Sequence, residues 1–386
     1  MLKKSGLYIY AAAAAILLVS VLASTNVKAC EDIPQSLLAL YMNSDVVVLA
    51  NYDSDVSMIK TNEDEYGYSL EIERNLSVVR VFKGNEDLKT LNLANFEYRS
   101  NPNQPQFDEG EYYHFDENYF DISKIRIGSQ YLFFLKKNQE TGKYGITDYG
   151  SAVKETAANF GVYEKFLVEL KSIAETKENR LARLTEWIVK TIEEPVTRQD
   201  GINDLAESFY SMDYQDESIV KTGTEPFLTY EDYNVYTAGI AKNLTESQKA
   251  RVSAALYPTL QDSWFAAEPV YVDYQISTVL GRINKSRLAV YTFNMLQSVD
   301  KRDSQRKQII MEFLTSTISD SNLSEIYYEY VELDGKITDA SKATTPESKV
   351  VVKTLTEKRN NLLKDFEKRF RFMFQRNFAP VDNMEA

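Results

Sequence analysis

The sequence predicts an α+β protein of several domains, a small β-barrel or sandwich followed by an all-helical domain. Three observations carry that prediction. Between Asp45 and about Asp148, short β-branched and aromatic runs alternate with polar turns. From about Ala152 onward, apolar residues recur at steps of three and four. Ahead of both stands a segment that reads as a leader, covering residues 1–29, which leaves residues 30–150 for the barrel and 151–386 for the helical domain.

The leader has a charged start at Lys3 and Lys4, an apolar run from Gly6 to Ala23, and Val27-Lys28-Ala29 directly before Cys30. That layout is read by signal peptidases, with Val27 and Ala29 at the recognised positions. The apolar run is also just long enough to serve as an uncleaved anchor. Either way the protein is expected to be exported, to a periplasmic, extracellular or membrane-tethered position. Cys30 is the only cysteine, so the folded chain has no disulfide. It is either a free mature N-terminus or a lipid attachment site, although Lys28 occupies a place where a lipoprotein signal has a small or apolar residue.

Apolar residues make up 44% of the chain and aromatic residues 12%, which excludes a disordered chain and allows a substantial core. Cleavage after Ala29 would move the net charge from −13 to −16, since residues 1–29 carry Lys3, Lys4 and Lys28 and no acid. So acidic a chain disfavours nucleic acid and anionic lipid as partners and leaves the membrane to an N-terminal anchor or lipid.

The expected strands are 45–50, 68–73, 76–82, 91–96 and 131–135, with turns at Lys83-Gly84-Asn85 and Thr141-Gly142-Lys143 and a reversal at Gly128. A short helix from Pro34 to Tyr41 precedes them, Leu37, Leu38, Leu40 and Tyr41 sharing a face. Helices are then expected at 160–174, 180–192, from a Thr197 cap through Leu205 to Phe209, and at 245–257, 286–299, 303–318, 323–330 and 350–374. Pro195 ends the second of these, and helices so joined stack as pairs. Residues 210–237 read as an irregular connection and 338–348 as an exposed loop.

Cys30, the short helix, Asn43-Ser44-Asp45-Val46-Val47-Val48, Val78 to Gly84 and Gly128-Ser-Gln-Tyr131-Leu-Phe-Phe134 follow one another in an order that resembles the netrin-like module shared by tissue inhibitors of metalloproteinases. The resemblance covers about a third of the chain. It implies an oligonucleotide/oligosaccharide-binding (OB) barrel over residues 30–150. In the inhibitors it further implies a mature N-terminal cysteine laying its amine and carbonyl on a protease zinc, a role that only Cys30 has the position to fill. The departures are Glu31-Asp32 where the inhibitors have x-Cys, and the absence of any stapling disulfide.

The candidate chemistry is sparse. His114 is the only histidine, which removes the usual histidine-rich zinc sites and leaves a single base for any nucleophilic dyad or triad. Gln106 to Asp121 is dense in acids and aromatics. Asp108, Glu109, Glu111, Asp116, Glu117 and Asp121 supply hard oxygen ligands for calcium without the regular calcium-loop ladder, so Asp108, Glu111, Asp116 and Asp121 are weak metal candidates. Tyr112, Tyr113, Phe115 and Tyr119 suit a partner-contact loop, tyrosine giving amphipathic area at low entropy cost. Trp187 and Trp264 read as core, and the Phe-rich basic end at 367–374 either as a stretch that touches an anionic membrane or, the favoured reading, as a helix terminus with buried phenylalanines.

The functional expectation is an exported, non-enzymatic binding protein that takes a protein partner and needs no cofactor. Two alternatives stand beside it: a metalloproteinase inhibitor acting through Cys30, and a hydrolase whose carboxylates lie at unlocated positions in the helical domain.

Overall fold

The computed structural model describes residues 36–63, 67–100, 126–146, 153–155, 159–176, 178–214, 239–264, 272–300, 303–343 and 345–378. Residues 1–29, expected to be a leader, Cys30, the acidic-aromatic stretch with His114, and most of residues 210–237 lie outside them. The described residues fall into two compact units, one ending at Glu175 and the other beginning at Thr176.

The first unit is a barrel built from β1 (Val46–Glu63), β2 (Gly67–Lys83), β3 (Thr90–Ser100), β4 (Gln130–Lys137) and β5 (Tyr144–Ile146). The strands hydrogen-bond in the order β1-β2-β3-β5-β4, and β4 returns to pair with β1, closing the ring. Every pairing in the ring is antiparallel except the parallel junction of β3 and β5 at Leu93 and Tyr144. A further short strand, β6 (Val153–Glu155), lies against β4 within the stretch where helical periodicity begins.

Period-two alternation fills the interior: Val46, Val48, Ala50 and Tyr52 from β1, Leu76 from β2, Leu91 and Leu93 from β3, and Tyr131, Phe133 and Leu135 from β4 form one buried cluster. The intervening residues Val47, Leu49, Leu132 and Phe134 are buried as well, on the outer wall. That double burial explains why β1 and β4 open as continuous apolar runs rather than alternating ones. Helix α1 (Leu37–Asn43) packs on β4, and helix α2 (Phe160–Glu175) packs on β2.

Helix α1 is too short to persist alone, and its surroundings hold it. Ser36 caps its start by accepting a bond from the Ala39 amide at 3.0 Å. All six side chains from Leu37 to Met42 are buried, more than the single face expected from sequence. At its end the Lys83 ammonium donates to the carbonyls of Tyr41 (2.7 Å) and Met42 (3.2 Å). Burial pushes the Lys83 ammonium down to about 8, while Asp45 pulls it up. An unfolded lysine holds its proton to about pH 10.4. The unfolded chain therefore binds more protons between those values, and barrel stability rises with pH from 8 towards 10. Lys83→Met is expected to lower stability overall and flatten that rise, which urea midpoints across the range would read.

β2 is one strand where the sequence suggested two. The break expected at Asn75 is a register shift: Tyr52 opposes Leu76 and Ser54 opposes Asn75, so Asp53 is the extra residue and the ladder continues past it. Gly84, at φ 105°, turns the chain after β2, and a Cβ there would come within 3.1 Å of Val46 Cγ2.

The second unit is helical among its described residues: α3 (Arg180–Glu193), α4 (Arg198–Tyr214), α5 (Glu246–Trp264), α6 (Val272–Ser298), α7 (Ser304–Ile318), α8 (Ser321–Ser341) and α9 (Pro346–Asn377). None of the described helices is long and apolar enough to cross a membrane. Leu184, Trp187, Ile188 and Ile192 form the buried stripe of α3, which settles Trp187 as core; Trp264 ends α5, its side chain outside the described residues. Neighbouring helices pack on one another, α3 with α4, α5 with α6, and α8 with α9, while α4 and α7 pack on α6 as well.

Several boundaries differ from expectation, each for a local reason. Thr197 stands before α4, but its hydroxyl donates to the Thr191 carbonyl at 3.1 Å, tying the α3–α4 corner together. Helix α5 runs through Pro258 instead of stopping at Tyr257; the Tyr291 hydroxyl holds the Tyr257 carbonyl at 3.0 Å, and the Thr259 hydroxyl the Ala255 carbonyl at 3.0 Å. Helix α6 begins fourteen residues before the expected Ser286 and kinks at Asn284, whose side chain accepts from the Arg287 amide at 2.9 Å and so caps the second half. The expected loop at 338–348 is mostly helix: α8 reaches Ser341 and α9 starts at Pro346 under a Thr345 cap.

The α3–α4 corner depends on Gly201. A Cβ there would meet Thr191 Oγ1 at 2.5 Å, Ile192 Cγ1 at 2.7 Å and the Ile192 amide nitrogen at 2.9 Å. Gly201→Ala is expected to cost about 1–3 kcal/mol by overpacking, against the usual gain for alanine in a helix. A lowered thermal midpoint in tryptophan fluorescence would register it.

Candidate binding face of the barrel

Along β2 the even positions Ile72, Arg74 and Leu76 are buried and the odd positions turn outward, which places Glu71 and Glu73 side by side on the outer wall. Asn92 of β3 joins them from the neighbouring strand, with Nδ2 donating to Glu73 Oε2 at 3.0 Å. The β4–β5 turn then brings in a cation. Asn138 Oδ1 accepts from the amides of Glu140 (2.9 Å) and Thr141 (3.0 Å), and the Asn138 amide donates to the Lys143 carbonyl at 2.8 Å. Gly142, at φ 71°, completes the reversal. The Lys143 ammonium so placed lies 2.8 Å from Glu71 and 2.7 Å from Glu73.

The cluster is electrostatically set. The Lys143 bond, then the Asn92 bond, holds the Glu73 carboxyl below the usual carboxylate range. Glu71 and Glu73 together raise the Lys143 ammonium above its ordinary value. Glu73 and Lys143 thus stay charged near neutrality, which suits ionic recognition and not proton transfer. Ile59, 49% exposed, sits opposite Glu71 across the β1–β2 ladder and adds an apolar spot. Beneath the wall, Arg74 is buried in the barrel, where its Nε donates to the Tyr52 hydroxyl at 3.1 Å.

None of Glu71, Glu73, Asn92 or Lys143 stood out in the sequence. The alternation from Tyr68 to Glu73 marks the outward face of β2. Lys143, however, arrives from some seventy positions away through the parallel β3–β5 junction, which periodicity does not encode. The residues that did stand out, Cys30, Asp108, Glu111, Tyr112, Tyr113, His114, Phe115, Asp116, Tyr119 and Asp121, lie outside the described residues.

Among the described residues of the helical unit the buried carboxylates are Asp200 and Asp204, one turn apart on α4. Gln199 beside them donates to Asn203 (2.7 Å) and to Gln275 of α6 (2.9 Å), and the Ser208 hydroxyl accepts from the Ala241 amide at 2.9 Å. Asp200, Asn203 and Asp204 all make interactions of their own, so this is an internal polar seam, in which one Asp204 oxygen, Oδ2, accepts no hydrogen bond among the described residues. No group of three or more histidine, cysteine, aspartate or glutamate residues among the described residues is arranged to hold a metal ion.

Comparison with protein-family models, with characterised proteins and with solved structures finds no match to this chain.

Proposed function

We propose that the protein is an exported binding protein whose N-terminal unit is an OB-type barrel of the netrin-like kind, engaging a protein partner through the β2–β3 wall. The observation that carries this reading is the strand order. A ring running β1-β2-β3-β5-β4, closed by β1–β4 and by a parallel β3–β5 contact, supports the OB reading. On such barrels the face of the second and third strands and the adjoining β1–β2 and β4–β5 loops carry ligands, and here that face bears Glu71, Glu73, Asn92 and Lys143. The fold does not itself bring the function, so the charged wall is what the test addresses.

The test is affinity capture by the full chain and by Lys143→Glu, with binding of the captured partner then measured on both. Reversing the cation leaves three carboxylates together and is expected to weaken the partner tenfold or more while the barrel remains folded. Equal affinity would remove the wall from the reading. The competing inhibitor role needs a free amine at Cys30, which N-terminal mass analysis of the native protein decides. An acylated Cys30 or an intact Met1 ends it, and a free Cys30 sends the protein to a metalloproteinase panel.

A further inference from the structure

The chain carries a net charge of −13, yet α9 holds nine basic residues against four acidic ones, a net of +5, so the remainder stands at −18. Three of the nine cations are paired, exposed Lys358 with Glu329, buried Arg359 with Asp334, and Arg369 with Asp320, and Arg376 is exposed on another side of the helix. Lys349, Lys353, Lys364, Lys368 and Arg371 are exposed and form no ion pair among the described residues; Arg371 alone has a partner, lying over the Phe293 ring. At 100° per residue these five fall within an arc of about 100° on the helix and span about 33 Å of its length; Glu357 and Glu367 fall in the same arc, which keeps a net charge of +3. The buried side chains Arg359, Phe366, Phe370, Met373 and Phe374 occupy a separate arc.

Two apolar side chains lie at the ends of the exposed strip, Val350 at 66% and Phe372 at 54% exposure. Unpaired cations in a row with an aromatic ring at their level match a flat anionic surface better than a groove-bound ligand. The acidity of the whole chain does not oppose this, because at physiological salt charges more than about 8 Å away are largely screened and the strip's own field governs close approach. We infer that the outer face of α9 is a docking strip for an anionic lipid bilayer, made by Lys349, Lys353, Lys364, Lys368 and Arg371 with Phe372 at the lipid level. This contact is separate from any N-terminal anchor and independent of the barrel wall.

The test is co-sedimentation of the full chain with vesicles of phosphatidylglycerol and phosphatidylcholine in equal parts, and with phosphatidylcholine alone. Each basic residue near such a surface contributes enough that the triple variant Lys364→Glu, Lys368→Glu, Arg371→Glu is expected to bind anionic vesicles on the order of a hundredfold more weakly. A second variant, Lys349→Glu, Lys353→Glu, Lys364→Glu, leaves the Arg371–Phe293 contact intact and is expected to show a comparable loss, and both are to keep the wild-type circular dichroism. Binding that both folded variants retain, or that is as strong on phosphatidylcholine alone, overturns the inference and assigns the membrane contact to the N-terminal segment. Binding to heparin with none to vesicles, or self-association abolished by the variants with none to vesicles, also overturns it.

Discussion

Replacing Phe133 by alanine is expected to destabilise the barrel by about 3–5 kcal/mol. The ring sits at the centre of the interior cluster with no exposed surface, edge-on to Tyr131 at 6.1 Å, on the one strand that pairs with β1, β5 and β6. Whole-domain stability is typically about 5–15 kcal/mol, so the loss takes a large share of it. The chain offers a clean way to see which unit suffers. Both tryptophans, Trp187 and Trp264, belong to the second unit, so fluorescence reads that unit. Hydrogen exchange in peptides covering β1 and β4 is expected to show lost protection, while the tryptophan transition is retained. Simultaneous loss of both would mean that the units do not unfold separately.

The second large effect is expected at Arg359. Its guanidinium is buried against Tyr330, with the ring centroid at 5.8 Å, and pairs with Asp334, whose other oxygen accepts from Gln308 of α7 at 3.0 Å. This one aspartate therefore joins α7, α8 and α9. Arg359→Met leaves a half-buried carboxylate without its cation and is expected to cost about 3–5 kcal/mol. Arg359→Met with Asp334→Leu removes both charges and is expected to recover most of that loss. Urea midpoints of the two variants check it, and a double variant as unstable as the single one would show that packing around the arginine stem, not the charge, carries the effect.

What the sequence made legible follows from where its signals are local. The β-branched runs at Val46–Ala50 and Tyr131–Leu135 mark strands because both sides are buried, and the three-four steps of apolar residues mark most helices. The misses follow from contacts that are not local. Asn75 looks like a turn, yet a bulge opposite it carries β2 straight through. β5 and β6 have three residues each, too few for any period. The outer half of α8 has no apolar stripe because, from Asp334 to Lys358, no described side chain is buried, and the two helices there have chiefly each other for support. The barrel wall was invisible for a similar reason, since its cation and its carboxylates meet only when the barrel closes.

The most direct measurement places a photo-crosslinking residue at Asn92, on the β2–β3 wall, and in a separate chain at Val79, exposed elsewhere on β2, with each protein expressed in full in its native host. The account predicts a discrete protein adduct from position 92, lost when Lys143 is also changed to glutamate, and none from position 79. No adduct from position 92, or the same adduct from both, would contradict the claim that this barrel binds its partner through the β2–β3 wall.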